Sequence, residues 1–152
     1  MSWYPHAVTV DPASEPVTLA EAKAQCRVDS SDEDALLNGL IEAARDYAEA
    51  YCGTPLEIRT ATIKCDGFND FDHFPIVPLA TVTGITYVDS AGATQTLSTD
   101  VYEARADKLV ASIVLKSGQS WPAVQSGSRI TVTATLGYAN VPSSIKQAML
   151  LL

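Results

Sequence analysis

The densest group of side chains that could do chemistry lies at residues 66–73 of the 152-residue sequence, Asp-Gly-Phe-Asn-Asp-Phe-Asp-His. Asp66, Asp70, Asp72 and His73 are candidate ligands for a divalent cation, because calcium and magnesium prefer oxygen donors. Their spacing matches no EF-hand loop, and the interleaved phenylalanines at 68, 71 and 74 are typical of a loop held by aromatic anchors. Acidic loops are more often solvated surface, so we expect no bound metal and no cofactor.

Catalysis has no support elsewhere in the sequence. The only histidines are His6 and His73, and no nucleophile elbow, phosphate-binding glycine loop or zinc-protease motif occurs. No serine or threonine has an activating base near it in sequence. We therefore predict no enzymatic activity, and keep a small metal-binding or enzymatic domain built on residues 66–73 as the alternative hypothesis.

Composition narrows the class of protein. Apolar residues make up 47% and charged residues 18%, which predicts a single domain with a sizeable core. The net charge of −8 disfavours tight binding to nucleic acid or to an anionic membrane. The charge is uneven, since residues 1–53 hold ten acids and three bases while residues 54–152 hold eight acids and seven bases. No apolar run approaches the roughly 20 residues that span a membrane, and residues 1–12 do not have the pattern of a signal peptide.

The three cysteines, Cys26, Cys52 and Cys65, are odd in number and have no C-x-x-C spacing. This argues against a disulfide framework and against a zinc site. We expect three reduced cysteines packed as small core residues, all of which react with a thiol reagent once the protein is unfolded.

Helical signals occupy the first third of the chain. Prolines at 5, 12 and 16 predict an extended arm, residues 1–17, with no regular element. Thr18 and Glu21 form a capping box that predicts a short helix over 19–26. The acidic cluster 31–34 starts a second helix, which Gly53 ends and the following proline keeps from resuming.

The second helix carries one apolar stripe about five turns long, formed by Leu36, Leu37, Leu40, Ile41, Ala44, Tyr47, Ala48 and Tyr51. Tyr47 and Tyr51 could form a recognition patch, but the shared stripe favours a place in the core. We expect Leu40 to be buried as well.

After residue 55 the pattern is that of β-strands. Runs at 57–65, 81–89 and 129–136 are rich in Thr, Val and Ile, a hairpin joins 85–88 to 94–97, and shorter strands are predicted at 101–103 and 112–115. Trp121 is predicted to fold back as an anchor for its loop. Pro142 starts a final helix, whose apolar pattern stops at residue 152 in mid-helix, so we expect the natural chain to continue.

These elements predict the α+β class. Two N-terminal helices and a C-terminal helix, residues 18–53 and 142–152, form a small helical domain that is interrupted by a β-rich antiparallel insertion, residues 54–141. A C-terminal helix this short is marginal alone and must pack on another element.

The chain resembles the phage head–tail connector (adaptor) proteins, in particular the subgroup found in prophages and gene transfer agents. Four runs carry the resemblance in order: EPVTLAEAKAQCRVDSSDEDALLNGLIEAARDYAEAYCGTPL, PLATVTGITYVDSAGATQTL, SWPAV and ITVTATLGYANVPSSIKQAMLLL. The resemblance implies a homo-oligomeric ring, usually twelve-fold, beneath the portal protein, with double-stranded DNA passing non-specifically through its centre. It also implies a stopper or tail terminator protein on the tail side, and assembly in the bacterial host cytoplasm into a virion or phage-like particle. It brings no catalytic residues, and in relatives the last helix runs past the position of Leu152.

Candidate contacts with neighbouring subunits or the portal lie at both ends of the chain: Trp3, Tyr4, Val8, Ile145, Met149 and Leu152. The apolar side chains of the arm must be shielded from water by another part of the assembly, because the arm alone cannot bury them. They could meet a neighbouring subunit or fold onto their own subunit, and the sequence leaves both alternatives open.

Overall fold

The computed structural model of the chain describes residues 3–10, 12–107 and 110–152. In chain order the elements are β1 (Trp3–Val10), α1 (Leu19–Cys26), α2 (Asp34–Cys52), β2 (Arg59–Cys65), a short 3-10 helix (Phe68–Asp72), β3 (Leu79–Val88), β4 (Thr94–Thr96), β5 (Tyr102–Asp107), β6 (Val110–Leu115), β7 (Ile130–Leu136) and α3 (Ser143–Met149). The predicted α+β class is confirmed.

Helix α1 begins at the predicted capping box. The Thr18 hydroxyl accepts a hydrogen bond from the Glu21 backbone N–H at 3.2 Å, and the Glu21 carboxylate accepts one from the Thr18 N–H at 2.8 Å. Hydrogen bonds from the Thr18 backbone, and next from its hydroxyl, hold the pKa of Glu21 below its ordinary value. The helix ends at Arg27, whose left-handed conformation (φ 56°) directs the chain away from the helix axis.

Helix α2 is the longest helix of the described residues and ends where the sequence predicts. Gly53 adopts φ 66°, and its N–H donates to the Glu49 carbonyl at 2.8 Å. A left-handed glycine of this kind is the common end of a helix, because no Cβ opposes the turn. Within the described part of the chain, no helix has both the length and the apolar character needed to cross a membrane.

The main sheet has five antiparallel strands in the order β1-β2-β7-β3-β4. Its central strand, β7, alternates as predicted, with four fully buried side chains, Ile130, Val132, Ala134 and Leu136. The predicted hairpin between β3 and β4 is also present. Its turn is closed by the Asp89 carboxylate, which accepts from the N–H groups of Ala91 and Ala93, both at 2.9 Å.

The N-terminal arm differs from its prediction, because it contains a regular strand. Strand β1 pairs antiparallel with β2 at the edge of the sheet, with register shifts between Tyr4 and Ala7 and between Val8 and Val10. Pro5 lies within the first shift. An edge strand tolerates a proline because its outer N–H groups need no partner strand. The prediction of an arm without regular structure is therefore wrong for residues 3–10.

An aromatic cluster closes one end of the sheet. The 3-10 helix buries Phe68 and Phe71, and Phe74 follows at 1% exposure. The Trp121 ring stacks on Phe68 at 4.7 Å between centroids. Both the aromatic anchoring of the acidic loop and the anchoring role of Trp121 are thereby confirmed. Strands β5 and β6 form a separate two-stranded sheet, and β6 contacts the 3-10 helix.

The helices gather at the other end of the sheet around a second core. Its buried members are Val17, Ala22, Ile41, Leu56, Val141 and Met149. Helix α3 contacts α2 directly. This supplies the packing partner that a seven-residue helix needs, because a helix of that length is unstable alone.

A carboxylate joins the end of α2 to the start of the sheet. Glu49 Oε1 accepts from the Leu56 N–H at 2.8 Å and from the Arg59 guanidinium at 2.5 Å. The Glu49 and Arg59 side chains are only 15% and 11% exposed. The ion pair therefore fixes the angle between helix and sheet at a site largely shielded from water.

The return from β7 to α3 depends on a glycine. Gly137 has φ 107°, and a Cβ built there would lie 2.2 Å from the Glu57 carbonyl oxygen. The next N–H, of Tyr138, donates to Leu56 at 3.1 Å. Two backbone segments thus approach more closely at Gly137 than any side chain would allow.

Candidate interaction surface

Helix α2 is apolar over a wider arc than its own subunit covers. Leu37 and Ile41 point into the interior of the subunit and are each 6% exposed. Ala44 and Ala48 pack on the helical core. On the adjoining arc, Leu36 is 61% and Leu40 is 56% exposed. The prediction that Leu40 is buried is therefore wrong.

The two tyrosines extend this uncovered arc towards the end of the helix. Tyr47 is 61% exposed and Tyr51 is 83% exposed, and their rings stack with centroids 6.5 Å apart and planes 16° apart. The expectation that they complete the core face is wrong. We call Leu36, Leu40, Tyr47 and Tyr51 the α2 stripe.

The sequence contained the signal for the α2 stripe. Each helical residue advances by about 100°, so the eight apolar positions of α2 span about 140°, roughly two-fifths of its circumference. The short helices α1 and α3, which contact α2, cover a narrower sector than that. The width of the arc, rather than its periodicity, indicates that part of it must stay uncovered in a single subunit.

A groove of about 370 Å³ runs alongside the stripe between the three helices. Leu40 and Tyr47 line it from α2, Gln25 and Cys26 from α1, and Leu152 from the end of the chain. Almost all of the lining side chains are apolar. The stripe and the groove therefore form one continuous apolar surface.

The predicted contact residues of the last helix divide between core and surface. Met149 is 5% exposed and belongs to the helical core, against which Ile145 is packed and half-buried. Leu152 is 71% exposed and lines the groove. Met149 and Ile145 are therefore engaged within the chain, and a contact of Leu152 with another molecule stays a prediction.

The acidic residues of α2 lie away from the α2 stripe. Glu42 and Asp46 are exposed, and at about 100° per residue they lie roughly 150° and 110° around the helix from the centre of the stripe. Arg45 adds no free positive charge, because its guanidinium contacts Glu15 and, at 3.0 Å, Asp46. The polar side of α2 is therefore negative.

The predicted contact residues of the N-terminus are engaged within the chain. The Trp3 indole N–H donates to the His73 carbonyl at 2.9 Å, and its ring meets Phe74 edge-on at 5.3 Å. The Tyr4 hydroxyl donates to the Asp66 carboxylate at 2.9 Å. Val8 remains 40% exposed. A contact of these residues with a neighbouring subunit stays a prediction.

The candidate metal ligands are not arranged as a metal site. Asp66 accepts from Tyr4 and lies 3.9 Å from the Arg129 guanidinium, which itself stands 3.6 Å over the Tyr4 ring. Asp70 and Asp72 lie on the 3-10 helix and His73 follows it. Among the described residues, no three His, Cys, Asp or Glu side chains come together where they could hold a metal ion. The side chain of the second histidine, at position 6, lies outside the described part.

The cysteines differ in exposure. Cys65 is buried, as expected, whereas Cys26 and Cys52 are exposed, so the expectation of three core cysteines is wrong for those two. Burial, with the negative charge of Asp70 as a further cause, raises the pKa of the Cys65 thiol to about 12. All three are free thiols in the structure.

Comparison with solved structures shows a shared fold. A chain of the neck of an empty GTA particle, computed with C6 symmetry, superposes with a TM-score of 0.78 and 24% identity, covering 98% of this chain and 81% of that chain. A chain of the virion of the native gene transfer agent (GTA) particle superposes with a TM-score of 0.76 and 23% identity, covering 97% of this chain and 80% of that chain. A chain of the neck of the native GTA particle, computed with C12 symmetry, superposes with a TM-score of 0.71 and 23% identity, covering 98% of this chain and 80% of that chain.

The sequence itself matches a family model over more than half of its length. No curated protein is significantly similar to it. The model of the phage gp6-like head–tail connector proteins matches residues 16–108, a range that includes helices α1 and α2 and strands β2 to β5 but neither β1 nor β7. The resemblance seen in the sequence is thereby confirmed, and the chain belongs to the phage gp6-like head–tail connector protein family.

Proposed function

We propose that this chain is a structural head–tail connector of a phage-like particle and that its copies form a closed ring beneath the portal protein. The observation that carries the proposal is the uncovered apolar surface of α2 in a chain of the connector family. Exposed patches larger than a few hundred Å² on a soluble chain mark interaction sites. Similarity of fold to chains of GTA necks, which were computed with C6 and C12 symmetry, supports a ring, and twelve copies is the number we propose.

The charge of the chain suits passage of DNA better than its capture. A ring built from subunits of net charge −8 would repel phosphates from its inner wall. A duplex would then slide through, whereas a basic lining would hold it. We propose non-specific passage of double-stranded DNA through the centre, with a stopper or tail terminator protein on the other side of the ring.

The role is structural rather than catalytic. The acidic loop at 66–73 is engaged in pinning β1 and the aromatic cluster, through the contacts of Asp66 with Tyr4 and of the His73 carbonyl with Trp3. We propose that the helical unit, residues 18–53 and 142–152, and the insertion, residues 54–141, together form the body of the ring. The particle would assemble in the bacterial host cytoplasm and retain the protein at the head–tail interface.

Electron microscopy of the purified chain mixed with its portal protein tests this function. We expect a ring on the portal in which the same pair of surfaces recurs at every interface, as rotational closure requires. A chain that neither binds the portal nor forms rings with it, while remaining folded, would refute the proposal.

A further inference from the structure

We propose that the α2 stripe, together with the adjoining groove, docks against an adjacent copy of this chain in a head-to-tail contact. This inference rests on the proposed ring and names the surface that builds it. The partner surface is the less acidic, β-rich part of the neighbour rather than its own α2 stripe.

The size of the uncovered surface fits one side of a stable protein interface. The exposed fractions are 61% for Leu36, 56% for Leu40, 61% for Tyr47 and 83% for Tyr51. Taking about 200 Å² for each large side chain, these leave on the order of 500 Å² in solvent. A standard-size interface buries about 800 Å² per partner. The stripe therefore supplies most of one half of such an interface without any rearrangement.

The shape and residue types of the surface also suit a protein partner. Two stacked tyrosines, Tyr47 and Tyr51, provide large and rigid contact area, and tyrosine is among the residues that dominate interface energies. Beside them the groove offers about 370 Å³ into which side chains of a partner can insert. The excess of ten acids over three bases in residues 1–53 disfavours nucleic acid and anionic lipid as occupants.

Charge distinguishes a head-to-tail contact from a symmetric one. If two α2 stripes faced each other, the acidic N-terminal regions of both copies, residues 1–53, would be brought together, and like charges juxtaposed at an interface oppose association. Residues 1–53 contain ten acids and three bases, whereas residues 54–152 contain eight acids and seven bases. A stripe packed on the second region of its neighbour avoids that repulsion. Head-to-tail contacts are also the type that closes into a ring.

The decisive variant replaces two stripe residues by serine, Leu40→Ser with Tyr47→Ser. Both side chains are more than half exposed, so the subunit should keep its circular dichroism and melting temperature. We expect the concentration at half-assembly, measured by mass photometry with and without portal protein, to rise at least tenfold. Leu151→Ser is the matched control, because Leu151 is 72% exposed but does not line the groove, and it should assemble within about twofold of wild type. If the double variant loses its fold, Tyr51→Ser, at an 83% exposed site, replaces it in the same assay.

A mixing experiment tests the head-to-tail geometry. In such a contact a stripe variant still offers its other surface, so adding it to wild type should end growing arcs and reduce the number of closed rings. In a symmetric contact wild type would ignore the variant, and an unchanged number of rings would overturn the inference.

Thiol labelling reports the same contact on the wild-type chain. Cys26 lines the groove while Cys52 does not, and both are exposed in a single subunit. We expect assembly to slow alkylation of Cys26 at least fivefold and to leave Cys52 unchanged. Equal reactivity of Cys26 before and after assembly would place the interface elsewhere. Failure of wild type to form any ring would refute the proposed function, whereas rings that form equally well with the stripe variants would refute this inference alone.

Discussion

The ion pair between Glu49 and Arg59 should be the most sensitive polar contact in the fold. Substitution Glu49→Gln keeps an acceptor oxygen for the Leu56 N–H but removes the negative charge that faces the guanidinium. Arg59 would then remain as a charge whose side chain is 11% exposed and has lost its anionic partner. The variant therefore isolates the electrostatic contribution from the backbone hydrogen bond.

The magnitude follows from the burial of the pair. Removing one partner of a buried ion pair costs about 3–5 kcal/mol. The residual exposure of both side chains and the amide that replaces the carboxylate place this case at the lower end, about 3 kcal/mol. For a chain of this length, that corresponds to a fall in Tm of roughly 6–12 °C.

Urea and thermal unfolding monitored by circular dichroism measure this cost. Glu42→Gln on the same helix is the matched control, because Glu42 is exposed and its loss should change stability by less than about 0.5 kcal/mol. Adding Arg59→Met to Glu49→Gln should recover most of the loss, since no uncompensated charge is then buried. If Glu49→Gln unfolds within about 1 kcal/mol of the Glu42→Gln control, the reasoning is refuted.

Further predictions concern the fold. In the folded protein the two exposed cysteines should react with Ellman's reagent at pH 8 within minutes. Cys65 should react only on unfolding, because burial raises the pKa of its thiol to about 12. A third thiol that reacts within minutes would contradict the burial of Cys65. Gly137→Ala should lower the free energy of unfolding by at least about 2 kcal/mol, because its Cβ would clash with the Glu57 carbonyl. Gly39→Ala should raise the free energy of unfolding by about 0.5–1 kcal/mol, because Gly39 lies on α2 with open space around it. Denaturant titration measures both changes. Thr18→Ala should cost about 1 kcal/mol by loss of the helix cap. Because the folded pKa of Glu21 is lowered, its contribution is present above the unfolded pKa of 4.5 and is lost as the pH falls through the folded value, so Glu21→Gln should flatten the pH dependence of stability in that range.

Local signals in the sequence predicted most of the elements because those elements depend on local chemistry. The capping box at Thr18, the helix end at Gly53 and the alternation of β7 each need only neighbouring residues, and all three are present in the structure. The hairpin after β3 follows the same rule, since Asp89 closes its own turn. Where a few neighbouring residues determine the backbone conformation, composition and spacing are sufficient to predict the element.

Strand β1 could not be predicted because its existence depends on distant residues. Three prolines near it argue against a regular element, yet an edge position removes most of the cost of Pro5. The strand is held by groups about seventy positions away, including the His73 carbonyl that accepts from Trp3. Whether an extended arm pairs within its own subunit is decided by such long-range contacts, which periodicity does not record.

The α2 stripe is the most informative departure from the sequence-based expectation. A hydrophobic pattern shows that a face must be covered but not by which molecule, so Tyr47 and Tyr51 are equally compatible with a core and with an interface. Within one subunit α1 and α3 cover the sector centred on Leu37 and Ile41, and the remaining apolar sector is exposed to water. Keeping several large apolar side chains exposed opposes the solubility of a free subunit. The proposed head-to-tail contact would cover the same side chains on assembly, and it would account for an apolar sector that the folding of one subunit leaves exposed.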